Sequence, residues 1–426
     1  MSLTRVPKEF KRRYVKTHYR VLGRGDHSAI KPCHWMVQRL LTGRESRNCY
    51  KGAFGVKSHR CVQNTPALPF CPHRCAFCWR DTKTGTLGVT WPEGLEPDSP
   101  GHLVDEMLRH QRNLLEHHLT VEWALASLDE ARAALKVLVA RRRGVTARQV
   151  AEATQMSNRA TTRALVYLKN ARLAKCQDFV HYALHPEVAS RASAADVEAL
   201  LAERATTPKE VRACHEEALR PNHAAISLAG EPTTYPHLAG FVREFRRRGF
   251  TTFVVTNGAF PENLERWDDG DFPSQLYVSV PAFSPESYRL LCKPSLRDGW
   301  KRLTTTLDRL ATYPTRTVLR VTVLRGFNDT PEAVERYAEL IERARPDFVD
   351  LKGFTSEAFA VEISRRLGRP EAEPSSWSPK MGDVRAFARA LEARGVGRVL
   401  AQYPASRDVL LGVAWPEGEQ VEIKKP

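Results

Sequence analysis

Three cysteines in "FCPHRCAFCWRD" (residues 70–81) stand at the spacing C-x3-C-x2-C, as Cys71, Cys75 and Cys78. Structural zinc usually takes four protein ligands from two paired hooks. This loop offers three thiolates within a few residues and no close fourth partner. It therefore suits a metal centre that keeps one position open. Three more cysteines precede it, so that Cys33, Cys49, Cys61 and Cys71 read C-x15-C-x11-C-x9-C. Six of the nine cysteines thus fall within residues 33–78, which is not the dispersed pattern of a disulfide framework. In a reducing cytosol such clustering reads as metal ligation. The surroundings "KPCHW", "RNCYKG" and "HRCVQ" are polar, whereas inert buried thiols prefer apolar neighbours. Cys176, Cys214 and Cys292 lie elsewhere and read as structural.

The elements that position these residues follow from the rest of the chain. With 426 residues and 42% apolar content it can bury a sizeable core. No apolar run approaches the ~18 residues of a membrane span, and the basic N-terminus lacks the apolar region of a secretory signal, so a cytoplasmic protein is expected. The net charge of +16, with nine Lys/Arg against two Asp/Glu in residues 1–32, favours a polyanionic partner. Short β-branched runs alternate with amphipathic stretches: "AAISLAG", "TTFVVTN", "QLYVSV", "TVLRVTVL" and "DFVDLKGF", then "RVLAQY" and "DVLLGVAW" after the helix-like "ARALEARG". Apolar strands separated by helices predict a parallel sheet covered on both faces, and five or six such units predict a full or partial α/β barrel. In such barrels chemistry sits at the C-terminal strand ends.

Residues 129–187 break that rhythm, reading as three helices and then two short strands. Leu135, Leu138 and Val139 form one apolar stripe. Ser157 is the expected N-cap of a helix whose Leu165 and Leu168 face inward. "AKCQDFVHYALH" would be a hairpin wing, and residues 119–128 and 188–204 read as helical linkers. This is a winged-helix pattern carrying eleven Lys/Arg against five Asp/Glu. Arg141, Arg142, Arg143, Arg159 and Arg163 are expected on its outer face as contacts to a nucleic-acid backbone. The expected domains are residues 1–118, with the cluster-binding part and the start of the core, an inserted unit at 119–204, and the remaining barrel at 205–426.

The cysteine loop, followed by Trp79 and later by "GEP" after a strand, resembles the signature of radical S-adenosylmethionine (SAM) enzymes. A short loop wraps a cubane corner by corner, and soft thiolates suit iron–sulfur clusters. "CVQNTPALPFCPHRCAFCWRD", "NHAAISLAGEPTTYPHL", "FVVTNGAFPENL", "QLYVSV" and "PDFVDLKGF" narrow the resemblance to the 4-demethylwyosine synthases of wyosine biosynthesis. The resemblance implies a partial (β/α)6 barrel and a lyase-type enzyme condensing pyruvate with N1-methylguanosine beside the anticodon of tRNA(Phe). It implies two [4Fe-4S] clusters. Cys71, Cys75 and Cys78 would hold the one that chelates SAM, and Cys33, Cys49 and Cys61 the other. It further implies that Trp79, Gly230, Glu231, Pro232, Asn257 and Ser279 contact the cofactor, and that Lys51 forms a Schiff base with pyruvate. Desolvation beside positive groups should lower the pKa of such a lysine. A monomer served by a ferredoxin- or flavodoxin-like electron donor is expected. Two departures from the family pattern are Pro281 in "SVPAF" and the segment 119–204. Competing readings are a two-cluster methylthiotransferase, which would end in a small β-barrel, and an iron–sulfur winged-helix sensor, which would need neither "GEP" nor Lys51.

Overall fold

The computed structural model describes residues 3–44, 48–81, 86–176, 181–190, 193–204, 207–356 and 358–423. Its strands in chain order are β1 (Arg20–Leu22), β2 (Ser28–Ile30), β3 (Cys61–Thr65), β4 (Val145–Thr146), β5 (Ala174–Cys176), β6 (His181–Leu184), β7 (His223–Ile226), β8 (Thr251–Thr256), β9 (Gln275–Ser279), β10 (Arg316–Val323), β11 (Phe348–Gly353), β12 (Arg398–Tyr403) and β13 (Asp408–Gly412). Ten of them form one sheet in the order β1-β2-β3-β7-β8-β9-β10-β11-β13-β12. The run β3 to β11 is parallel throughout and supplies the six strands of a partial α/β barrel.

Two details differ from the sequence reading. The first parallel strand is "CVQNT", whose polar composition hides it from a search for apolar runs. At the other edge, β12 and β13 are antiparallel to each other, and β13 is antiparallel to β11. Only residues 404–407 separate them, far fewer than the dozen or more that a parallel crossover requires.

Side chains alternate across the sheet as the two-residue period demands. Outward, Ile226, Val254, Leu276, Val278, Leu319, Val321, Val349 and Leu351 join one large core. The helices Leu238–Arg247, Gly299–Arg309, Pro331–Ala344 and Met381–Ala393 supply the other side of that core. Inward, Phe253, Tyr277, Val318, Phe348 and Leu410 pack with Phe54 and Val56. Arg320 and Asp350 stand one layer further along the same face.

The helix Val121–Arg141, β4, two short helices (Ala147–Thr154 and Asn158–Asn170) and the β5–β6 hairpin build the winged-helix arrangement, with sheet order β4-β6-β5. Ser157 caps its helix by accepting from the Ala160 N–H at 3.2 Å, and Leu165 and Leu168 are buried. Residues 177–180, the middle of the expected wing, lie outside the described residues. The expected linkers are part of the folded unit. Residues 121–128 begin the 21-residue helix, and Val197, Leu200 and Leu201 lie in the unit's own core. That core also takes in Leu41, from the helix His34–Thr42. Cutting out residues 119–204 would therefore bare Leu41 on the helix that Cys33 caps. Leu41→Ala should lower Tm by several degrees, given a cost of about 2–5 kcal/mol for a buried leucine. A calorimetric scan unchanged within error would show that the contact contributes nothing.

Candidate active site

After β7 the chain turns through Gly230 at φ +77°. A Cβ there would meet the left-handed conformation and a carbonyl oxygen, that of Ala67, 1.9 Å away. Glycine thus lets the turn press against the segment leading into the cysteine loop, where the Glu231 N–H donates to the Phe70 carbonyl at 2.7 Å. The Glu231 side chain is buried and accepts four hydrogen bonds. They come from the Thr233 N–H (3.2 Å) and hydroxyl (2.7 Å), the Thr256 hydroxyl (2.6 Å) and the Asn257 N–H (2.8 Å). Burial raises its carboxyl pKa against the pull of those donors. Asn257 in turn points Nδ2 at Cys71 Sγ, 3.8 Å away. Gly230, Glu231, Asn257 and Cys71 are therefore one contiguous group.

Pro232 is buried and opens a 3-10 turn, Pro232–Thr234. Ser279 ends β9 and pairs in register with Arg320. Trp79 behaves differently, standing 63% exposed beyond the loop. The carbonyl of Pro281, the unusual residue after β9, accepts from Nδ2 of the buried Asn328 at 2.8 Å.

The cysteine loop is held mainly through its backbone. Ala76 N–H donates to the Leu291 carbonyl (2.8 Å) and Arg74 N–H to that of Cys292 (3.0 Å). Arg366 brings its guanidinium to the carbonyls of Cys75, Ala76, Cys78 and Arg80, closest to Cys78 at 2.7 Å. Burial pushes the Cys71 thiol up to about 12, and the charge of Arg80 opposes this. For Cys75 the first cause of its raised value is a hydrogen bond with Cys292, followed by burial. His73, Cys75 and Cys292 place their donor atoms within 4.8 Å of one another. Arg80, Arg366 and the nearness of Cys292 carry no signal in the linear pattern, because each contact depends on distant chain or on a fold of the loop itself.

The other three cysteines come from three different elements. Cys33 caps the helix His34–Thr42, its Sγ accepting from the Met36 N–H at 3.3 Å. Cys49 precedes the 3-10 turn Tyr50–Phe54, its N–H donating to Ser58 Oγ at 3.0 Å. Cys61 opens β3. All three are free thiols, and Cys49 lies close enough to act on the other two. Burial and then Cys49 raise Cys33, to about 11, and burial and then Cys33 raise Cys61, while Lys51 pulls both down.

Lys51 is buried in the barrel beside them. Its Nζ donates to Tyr50 Oη at 2.7 Å and lies 5.6 Å from the Tyr277 ring centroid and 5.8 Å from that of Phe253. The guanidinium of Arg320 stands 4.1 Å from the Tyr50 ring centroid and donates to Asp350 at 2.7 Å. Burial pushes the Asp350 carboxyl up to about 6 against the attraction of Arg320. Lys352 reaches Asp408 at 3.3 Å. The pKa of Lys51 itself corrects the sequence expectation. Burial lowers it, but the Tyr50 phenol and the Cys49 thiol outweigh burial, and the net direction is upward.

Of the five arginines expected on the outer face of the winged-helix unit, Arg141, Arg142, Arg143 and Arg159 are exposed. Arg163 is not directed outward. It is half-buried, and its Nε donates to Glu130 at 2.9 Å, joining two helices of the unit.

Replacing Gly230 by alanine should displace the Ala67–Cys71 segment. Strain and overlap together should cost at least about 1–3 kcal/mol, with reduced iron uptake on anaerobic reconstitution. Iron content and Tm equal to those of the unmodified protein would contradict the close approach.

The radical SAM superfamily profile matches residues 201–341, from the end of the last helix of the winged-helix unit into the barrel. The S-adenosyl-L-methionine-dependent tRNA 4-demethylwyosine synthase of Pyrococcus horikoshii is 33% identical over 409 residues, spanning 95% of this chain and 89% of the relative. Its namesake in Methanocaldococcus jannaschii is 28% identical over 82% of this chain and 81% of its own length. Among solved structures, a TYW1 with a lysine–pyruvate adduct bound is similar with a TM-score of 0.62 and 24% identity, covering 96% of this chain and 97% of that one. An archaeal TYW1 gives a TM-score of 0.55 at 22% identity, with 96% of each chain covered, so the fold is shared. By its similarity to the archaeal relatives, this chain belongs to the S-adenosyl-L-methionine-dependent tRNA 4-demethylwyosine synthase family.

Proposed function

We propose that this protein condenses pyruvate with N1-methylguanosine beside the anticodon of tRNA(Phe), giving the tricyclic 4-demethylwyosine base, with Lys51 as the amine that captures pyruvate. The observation that carries this reading is the placement of Lys51, a buried amine inside a radical SAM-type barrel, flanked by Tyr50 and Arg320 and beside a second group of three thiols. Family membership sets aside the methylthiotransferase and the sensor.

Radical SAM enzymes use a [4Fe-4S] cluster and SAM, and the donor set of Cys71, Cys75 and Cys78 fits such a cluster. Three soft thiols lie close enough to a buried arginine, Arg80, to interact with its charge, and its Nε and Nη1 find no hydrogen-bond partner among the described residues. When bound, the cluster and SAM supply a carbon radical able to take hydrogen from the N-methyl group of the modified guanine. The second group, Cys33, Cys49 and Cys61, has the same donor chemistry and holds the second [4Fe-4S] cluster in this reading. Gly230, Glu231, Pro232, Asn257, Ser279 and Trp79 are assigned to the SAM side of the site.

Lys51 must give up a proton before its nitrogen can attack the ketone carbon of pyruvate, a step that forms the imine and releases water. That proton passes to solvent water, while Tyr50 Oη, a phenol whose own pKa burial raises, accepts the hydrogen bond from Nζ and orients it. Enclosure by Tyr277 and Phe253 keeps water from reversing the imine. The target base has to leave its stack to reach this interior. The exposed Arg141, Arg142, Arg143 and Arg159 supply backbone contacts that position tRNA without reading its sequence. The protein acts as a cytoplasmic monomer in this reading and receives electrons from a ferredoxin- or flavodoxin-like donor. No helix among the described residues is long and apolar enough to cross a membrane.

Anaerobically reconstituted protein should hold about eight irons, two cubanes' worth. Replacing Cys71, Cys75 and Cys78 by alanine should halve this and abolish SAM cleavage. Replacing Cys33, Cys49 and Cys61 should also halve it but leave SAM cleavage measurable without product; full iron in either triple variant would refute that ligand set. Borohydride added during turnover with labelled pyruvate should trap an adduct on Lys51. Both Lys51→Ala and Lys51→Arg should lose adduct and product, because a guanidinium stays protonated; product from Lys51→Ala would exclude the imine. Changing Arg141, Arg142, Arg143 and Arg159 together to alanine should weaken tRNA binding and flatten its salt dependence by nearly one logarithmic unit per lost phosphate contact. An unaltered slope would assign the winged-helix unit another task.

A further inference from the structure

The residue two places after Cys78 is a buried cation to which the reaction outlined above gives no task. Arg80 is 4% exposed. One of its nitrogens, Nη2, donates to the His73 carbonyl at 3.2 Å, while Nε and Nη1 are buried and without partners among the described residues. A guanidinium does not escape this cost by losing its proton, because it stays charged in proteins. Only Nη2 is spent on the loop's backbone, and Arg366 takes the carbonyls of Cys75, Ala76, Cys78 and Arg80, which leaves Nε and Nη1 of Arg80 without a backbone task. The charge of Arg80 acts on all three thiols of the loop, most strongly on Cys71 and then Cys78. Tyr14, on the helix Lys8–Lys16, is buried and near enough to feel Arg80 as well, and it helps to keep water away. In such a dry setting both the charge and the N–H dipoles act at close to full strength.

We propose that Arg80 directs its unpartnered N–H groups at the sulfurs of the [4Fe-4S] cluster held by Cys71, Cys75 and Cys78, and thereby raises the reduction potential of that cluster. The proposal rests on the cluster reading of the loop given above. A reduced cluster carries one more negative charge than its oxidised form. A fixed cation with N–H···S contacts therefore stabilises the reduced form more, and the potential rises. Arg80 is a positioning and tuning residue in this account and takes no part in bond making.

Wild-type protein grown with 15N-arginine and reduced anaerobically should show nitrogen hyperfine coupling by pulsed EPR on the cluster signal that responds to added SAM. Arg80→Lys, which keeps the charge that helps loading, should lose that coupling. No coupling in wild type, or coupling that persists in Arg80→Lys, overturns the proposal, and the wild-type measurement holds whether or not any variant folds. In EPR-monitored redox titration, Arg80→Gln with full iron should show a midpoint shifted to more negative potential, and Arg80→Lys a smaller shift. An unshifted midpoint in Arg80→Gln with full iron overturns the proposal. Iron content and the SAM-responsive signal of the wild type are measured first. If these are absent, the cluster assignment fails, which separates that outcome from failure of the role given to Arg80.

Discussion

A buried carboxylate has to be surrounded by donors, and Glu231 finds its donors only where two strand ends and the cysteine loop meet. Thr256 closes β8, Asn257 follows it, and Thr233 follows the turn after β7. Satisfying all of them requires β7 and β8 in their observed register, Ile226 opposite Val254. The same turn has no room for a side chain at Gly230 and lays its backbone on Phe70. Asn257, held at one end by Glu231, reaches Cys71 with the other. The position of the cofactor loop over the barrel thus follows from the need to solvate one charge without water.

The barrel interior obeys the same constraint on a larger scale. Ser279, Arg320 and Asp350 lie in register on adjacent strands, while their sequence neighbours Val278, Leu319, Val321, Val349 and Leu351 face the outer core. Buried ion pairs are a poor source of net stability, since desolvation consumes most of their attraction, yet removing one partner costs about 3–5 kcal/mol. A layer of this kind makes sense where the barrel must hold polar contents. Here it borders Tyr50 and Lys51, the groups that pyruvate meets in the function proposed above.

The winged-helix unit is coupled to this interior by packing. Its core includes Leu41, on the helix whose first turn is capped by Cys33. The unit's core and one of the thiols that lie beside Lys51 are thus joined by a single helix. Within the unit, Arg159 and Arg163 sit four residues apart on one helix and have opposite fates. Arg163 spends its charge on Glu130, and Arg159 remains at the surface.

Much of the candidate site was legible in the chain because the residues that compose it are local. The spacing of Cys71, Cys75 and Cys78, the glycine before Glu231 and the Cys49–Tyr50–Lys51 run each lie within one turn or loop, where covalent connection keeps residues together. The strands with aliphatic outer faces were legible for the same reason, as was the helix beginning after Ser157. Long-range partners left no such trace. The strand that carries Cys61 is polar in composition and becomes a strand through pairing with β2 and with β7, the latter some 160 residues later. The fate of Arg163 depended on Glu130, the upward pKa of Lys51 on a phenol and a thiol folded against it, and the isolation of Arg80 on the helix and loops that exclude water from it. Residue types and their spacing determined which chemistry was available to this protein. Tertiary structure decided which charges are neutralised, which are buried without partners and which face outward, because electrostatic energies depend on distance and solvent exclusion that no linear order encodes.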